Sequence, residues 1–428
     1  MKKTKVIVVL SILASAPVFA LDLTEAKVIE MALERNERIG ISQAELEIAE
    51  KTISKAYSSA FPTFSAQATL AKSSATGSVQ PNGDDWSEGA VLQLNQPIYT
   101  FGKVSSGIDI AKSAREIQAN SKLATEAEVK QTAKKLFYAV LYNEELVKIN
   151  SGSFENAKLN KRTLEKRVAF GRISRNDNLK MQADLASRRP QLIESQNSLA
   201  ASKIQLADFL AIDSKENIKA VSDLQTIPRW NKETLNDTKV DKLANVRIMK
   251  EQVKLTESSV EFARAGRFPT LSAFASYSPT TYRSDFMDDA IKEQETAKFG
   301  IMLSFDWDLG GSKNHEVAVK KIENKIAELQ LKSGLRNTKS NFRILTRRYE
   351  SLVSKLEAEN EAVKLAEASY KVALSAFSTG AISQLQLNDS ELLLTNNKRS
   401  LAGTGLSLLN TIADLDRLLF EGSERGEK

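Results

Sequence analysis

The chain has 428 residues, one histidine, no cysteine and a formal net charge of +6. Without cysteine there is no disulfide framework, no thiol nucleophile and no lipid-anchored amino-terminal cysteine. So even a charge balance gives no basic field for nucleic acid, and a lone His315 with only Glu316 beside it leaves no nucleophile–base pair and no metal set.

Residues 1–20 read as a secretory signal peptide: Lys2, Lys3 and Lys5 precede an apolar run from Val6 to Ala14, and Val18-Phe19-Ala20 offers a cleavage point after Ala20. A retained anchor is the alternative, but the run is too short to span a bilayer. No later stretch approaches the roughly 18 apolar residues of a transmembrane helix, so any membrane crossing must use β-strands. Leu21 to Ala56 predicts helix. Leu23, Ala26, Ile29 and Leu33 share a face, Ile41, Ala44, Ile48 and Ile53 carry it on, and Pro62 ends it.

The pattern then changes to period two. Phe64, Ala66, Ala68 and Leu70 alternate with Thr63, Ser65, Gln67 and Thr69; after a polar loop from Ser73 to Glu88, Ala90, Leu92 and Leu94 alternate with Val91, Gln93 and Asn95. Two strands of this kind suit an outer-membrane barrel, with lipid on one face and water on the other. An ordinary soluble antiparallel sheet with one buried face is the alternative.

A long helical stretch follows from Val104 to Val168, about 97 Å if unbroken at about 1.5 Å per residue. Its apolar seam is irregular (Leu136, Val140, Val147, Phe154, Leu164, Val168). Gly171-Arg172-Ile173-Ser174 reads as a hairpin turn, a C′ glycine followed by a capping serine. The return helix carries Leu179, Ala183, Leu192, Leu199, Leu206 and Leu210, and Pro190 should kink or break it. Residues 212–240, polar and holding Pro228 and Trp230, read as a linker with short helices.

From there the chain repeats itself. Ala56–Ala66 returns as Ala263–Ala273, an offset of 207, and the turn around Gly171 returns around Gly380, an offset of 209. Such a period is far beyond the roughly 20–50 residues of a solenoid unit and marks a duplicated half-protein. Leu271 to Tyr277 predicts a third strand, with a loop from Ser278 to about Thr296. In the fourth, Ile301, Leu303, Phe305, Trp307 and Leu309 alternate with Met302, Ser304, Asp306 and Asp308. The aromatics Phe61, Phe64, Tyr99, Phe101, Phe268, Phe305 and Trp307 cluster near strand ends, as an interfacial girdle would. Four strands cannot close a barrel, so either the sheet is soluble or several chains contribute four strands each. In the last helical stretch Phe342, Leu345, Tyr349, Leu352, Leu356, Val363, Ala366, Tyr370, Ala373 and Phe377 keep a heptad seam, the mark of a coiled coil. Gly380-Ala381-Ile382-Ser383 is the second turn. The expected organisation is a first repeat over 21–211, the linker 212–240, a second repeat over 241–420 and a disordered tail, 421–428.

These marks resemble the TolC-like outer-membrane efflux proteins. The resemblance rests on Phe61-Pro62 and Phe268-Pro269 at helix-to-strand passages and on Gln96-Pro97-Ile98-Tyr99-Thr100-Phe101-Gly102-Lys103 at a strand-to-helix passage. Asp306-Trp307-Asp308-Leu309-Gly310-Gly311 and Leu387-Asn388-Asp389 add to it. It implies a mixed fold: a membrane β-barrel of twelve strands built by a homotrimer, continued by a coiled-coil helical tunnel through the periplasm of a Gram-negative bacterium. The implied function is a passive exit duct for efflux or type I secretion. Its partners would be a periplasmic adaptor docking at the hairpin turns, an inner-membrane pump of RND, ABC or MFS type, and outer-membrane lipid, with no cofactor, metal or nucleic acid. Asp389 matches an acidic aperture position of the family; Gln386 stands where some members carry a second carboxylate. Apart from the resemblance, and on charge alone, Arg172 and Arg175 near the first turn would widen cargo toward anions. A periplasmic or surface coiled-coil protein without channel activity is the alternative from another class.

Overall fold

A computed structural model describes residues 21–75, 83–169, 175–213, 218–221, 230, 237–284 and 291–420. The signal peptide, the tail, the first hairpin turn (Gly171, Arg172, Ile173, Ser174) and most of the linker lie outside them.

The chain opens differently from the single helix expected. Leu21–Leu23 forms β1, which pairs in parallel with β4, Ile218–Ala220. Thr24 then caps α1, Glu25–Arg35, by accepting from the Lys27 N–H. At Asn36 the helix breaks: the Asn36 amide donates to the Phe209 carbonyl, and α2, Glu37–Ser58, starts afresh. A capping threonine and a turn-prone asparagine compete with helix, so the apolar stripe alone overstated its continuity.

Next come β2, Thr63–Ala75, and β3, Gly83–Tyr99; α3, Lys103–Ala169; and α4, Arg175–Phe209. Helix α4 runs on through Pro190 rather than breaking there. After α5, Asp237–Lys242, and α6, Ala244–Ala265, the plan recurs as β5, Thr270–Ser284, β6, Ile291–Ser304, α7, Ser312–Thr379, and α8, Gln384–Leu418. Among the described residues no helix is long and apolar enough to cross a membrane.

The elements pack as two units. One holds residues 40–125 and 235–340, with the four-stranded antiparallel sheet in the order β2-β3-β5-β6. The strands outrun their apolar pattern. β3 begins at Gly83 inside the expected polar loop, and β5 and β6 extend to Ser284 and back to Ile291. Ladder hydrogen bonds are made by backbone, so pairing continues after apolar alternation has stopped. Conversely β6 ends at Ser304, and Phe305 to Leu309 form a passage, not strand. There the Asp308 carboxylate accepts from the Lys313 N–H at 2.7 Å and caps α7. That hydrogen bond, with help from Ser312, holds Asp308 below the ordinary carboxylate range.

The other unit holds residues up to 39, 126–234 and 341–419. Its main core joins Leu23, Val28, Phe137, Val140, Leu206, Leu210 and Leu409, so α1, α3, α4 and α8 share one interior. Lys134 of α3 bridges Glu25 (3.5 Å) and Asp416 (2.7 Å), tying the start of α1 to the end of α8. The expected seam of α7 is realised. Tyr349 packs with Leu408, Ile412 and Leu415, and Tyr370 and Phe377 pack with Leu387, Leu394 and Met181. Trp230 seats the linker on this helix, its ring 5.6 Å from Tyr349 and 6.4 Å from Phe342.

Candidate functional site

Two regions carry the functional argument: the sheet and the second hairpin.

Cross-strand partners in register share a face. Phe64 stands opposite Leu94, Leu94 opposite Ala275, and Ala275 opposite Phe299. Ala66, Leu92, Tyr277 and Ala297 make the next row, and Ala273–Ile301 and Leu271–Leu303 continue below. This apolar face is bare: Phe64 is 69% exposed, Phe299 89% and Ile301 69%. The other face, with Ser65, Gln93, Asn95 and Ser276, is polar. A soluble sheet buries its apolar side; this one presents it outward and leaves the outer edges of β2 and β6 unpaired.

All seven boundary aromatics are exposed. The structure gathers Tyr99, Phe101 and Phe268 into one cluster, with Phe101 stacked on Phe268 at 5.1 Å and Tyr99 edge-on to Phe101 at 4.7 Å. Phe305 and Trp307 form a separate pair at 5.4 Å. Phe61 and Phe64 stand at the start of β2. The strand-to-helix passage turns sharply here: Gly102 has φ +90°, and Phe101, at φ +51°, takes a conformation uncommon for a side-chain-bearing residue.

At the second turn Gly380 has φ +87°, its left-handed backbone ending α7, and the Ala381 N–H returns to the Ala376 carbonyl at 2.9 Å. Ser383 caps α8 in a capping box: its hydroxyl accepts from the Gln386 N–H, and the Gln386 amide oxygen accepts from the Ser383 N–H at 2.8 Å. Gln386 is thus engaged in the cap. Asp389, one turn on, is exposed, as is Gln386.

Between them and the core lies a set the sequence reading missed. Arg188 of α4, buried, contacts Asp184 at 2.9 Å and Glu391 of α8 at 2.7 Å. It also donates to the Ser153 hydroxyl of α3 at 2.7 Å and to the Asn388 side chain. Burial pushes the Glu391 carboxyl above its ordinary value, against the pull of Arg188. Further along, Arg399 of α8 donates to Asn150 (2.6 Å) and Gln191 (2.9 Å). Two polar layers therefore tie α8 to both helices of the first hairpin. Met181, Arg188, Ser195 and Ser202, seven apart, are inward positions of α4, followed by Leu206 and Ala207 in the main core. Leu179, expected to face inward, is 56% exposed, and Ala183 is exposed as well. The signal was present in that spacing, and in Glu391 standing between Leu387 and Leu394 on an inward face.

A four-stranded sheet whose apolar face is bare suits a membrane setting rather than a soluble core. The outer membrane efflux protein model matches residues 28–211 and 244–419. The chain belongs to the outer membrane efflux protein family. It is an outer-membrane protein, and its fold is that of solved outer-membrane factors. CusC aligns with a TM-score of 0.79 at 15% identity, covering 94% of each chain. The outer membrane protein VceC of Vibrio cholerae aligns with a TM-score of 0.77 at 16% identity, covering 94% of this chain and 97% of that one. The cobalt-zinc-cadmium resistance protein CzcC of Cupriavidus metallidurans is 24% identical over 183 residues, 43% of this chain and 44% of that protein. The match thus spans less than half of that relative.

Proposed function

We propose that this efflux-family protein works as a homotrimeric exit duct of an efflux or type I secretion assembly. The observation that supports this most is the sheet with a bare apolar face and two free edges. Free edges cannot stand in hydrocarbon, and closed barrels begin at about eight strands. Three copies supply twelve, with β6 of one pairing β2 of the next. Lipid then covers the Leu94 face and water fills the polar one. Residues 21–211 and 241–420 form the two repeats, joined by 212–240. The helices form a periplasmic tunnel, and its hairpin turns, at Gly171–Ser174 and Gly380–Ser383, receive an adaptor protein coupled to an inner-membrane pump. Exposed Asp389, repeated three times, rings the periplasmic aperture, while Gln386 adds no charge to it. The duct conducts passively and performs no chemistry.

The absence of native cysteine gives a clean test. With Gln67→Cys on β2 and Thr296→Cys on β6, a bismaleimide added to outer membranes should give bands of one, two and three chains and nothing larger. A ladder ending at two, or continuing beyond three, would contradict the trimer.

A further inference from the structure

We infer that Lys298 sets the charge preference of the barrel, favouring anions over cations; this rests on the trimeric-duct reading above. Lys298 pairs with Ser276 of β5, Ser276 with Gln93 of β3, and Gln93 with Ser65 of β2. The whole row lies on the polar face. The rows beside it hold Asn95, Phe274 and Gly300 on one side and Gln67 and Thr296 on the other, all uncharged. Within its own row and the rows on either side Lys298 is the one formal charge. Lys72, Glu88, Glu293 and Glu295 fall on the opposite parity, while Asp85 and Lys292, near the hairpin ends of β3 and β6, share the parity of Lys298 but stand eight and six residues along their strands from its row.

Register fixes this placement. A slip of one residue would turn the ammonium into lipid and Phe299 into water, so the same alternation that buries the apolar row in lipid aims Lys298 at the bore. Its neighbours two residues away are Thr296 and Gly300, Ser276 stands opposite, and no carboxylate pairs with it among the described residues. Its side chain is exposed. Three copies place three ammonium groups at one level, between uncharged neighbouring rows, and rings of lysine favour anions. The field of such a ring reaches across a wide bore only at low salt, since the Debye length grows from about 10 Å at 0.1 M to about 30 Å at 0.01 M.

The test is the reversal potential of the full-length protein in planar bilayers under a 0.1 M to 0.01 M KCl gradient, both concentrations chosen for that screening range. Lys298→Gln should lower the chloride-to-potassium permeability ratio, and Lys298→Glu should lower it further, by about twofold or more relative to the parent. Glu295→Gln, on the lipid-side parity, should leave it unchanged. If Lys298→Glu does not assemble, the neutral Lys298→Gln carries the test. Equal reversal potentials for the parent and both lysine variants would overturn the inference while leaving the duct reading intact. Absence of conductance in every protein, parent included, would overturn the duct reading and this inference with it.

Discussion

Arg188→Leu should destabilise the helical hairpins by about 3–5 kcal/mol at neutral pH, the loss expected when one partner of a buried ion pair is removed. The variant leaves Glu391, 2% exposed, and Asp184 without their cation. The loss should depend on pH in a stated direction. Burial already raises the Glu391 carboxyl above 4.5, the Arg188 charge opposes that, and Asp184 and Tyr370 also face the site. A raised carboxyl contributes stability that is fully present below its unfolded value and is lost as pH rises through its folded value. Without Arg188 the folded value climbs further, so the defect should be small in acid and grow toward neutrality. Urea unfolding followed by circular dichroism at several pH values measures this. Pairing Arg188→Leu with Glu391→Leu and Asp184→Asn should recover most of the loss, because no unpaired charge then remains. A defect below about 1 kcal/mol that ignores pH would show that these contacts do not hold the hairpins together.

Leu94→Arg should cost about 2–4 kcal/mol per chain and reduce the trimer found in membranes, whereas Gln93→Arg, one residue away, should be tolerated. Leu94 lies in the central row of the apolar face, between Phe64 and Ala275; Gln93 lies in the polar row with Ser65 and Ser276. A guanidinium at bilayer depth must be dragged to the interface or hydrated by a defect, while the same group in the bore stays in water. Folding into vesicles from urea, scored by heat-modifiable mobility and equilibrium unfolding, separates the two. Equal effects would mean that the two faces are not lipid and water.

The residues differ in how much of this they announced. The sheet was legible because period two is a strong signal and occurs twice: Phe64-x-Ala66-x-Ala68 and Leu271-x-Ala273-x-Ala275 repeat one register. Its extent was not, since the ladder runs on through Asp84 and Asp85, which carry no apolar alternation. The α7 seam was legible from its heptads. β1 and β4, three residues each, are too short to show any period, and their pairing spans almost two hundred residues. The turn at Gly380 was legible from local chemistry, a C′ glycine followed by a capping serine. Arg188 was not, because polar residues at inward positions look like surface until the helix that satisfies them is placed. The Gln386 amide oxygen completes the Ser383 cap, a contact that S-x-x-Q already spells.

The most direct test of the duct is electron microscopy, with mass determination, of the mature protein extracted from outer membranes in detergent. A three-fold particle of three chains, with a single detergent belt at the sheet, is the expected result. A monomer soluble without detergent, or an elongated two-chain particle with no belt, would contradict it, because the bare apolar face would then have neither lipid nor a third copy to close the barrel.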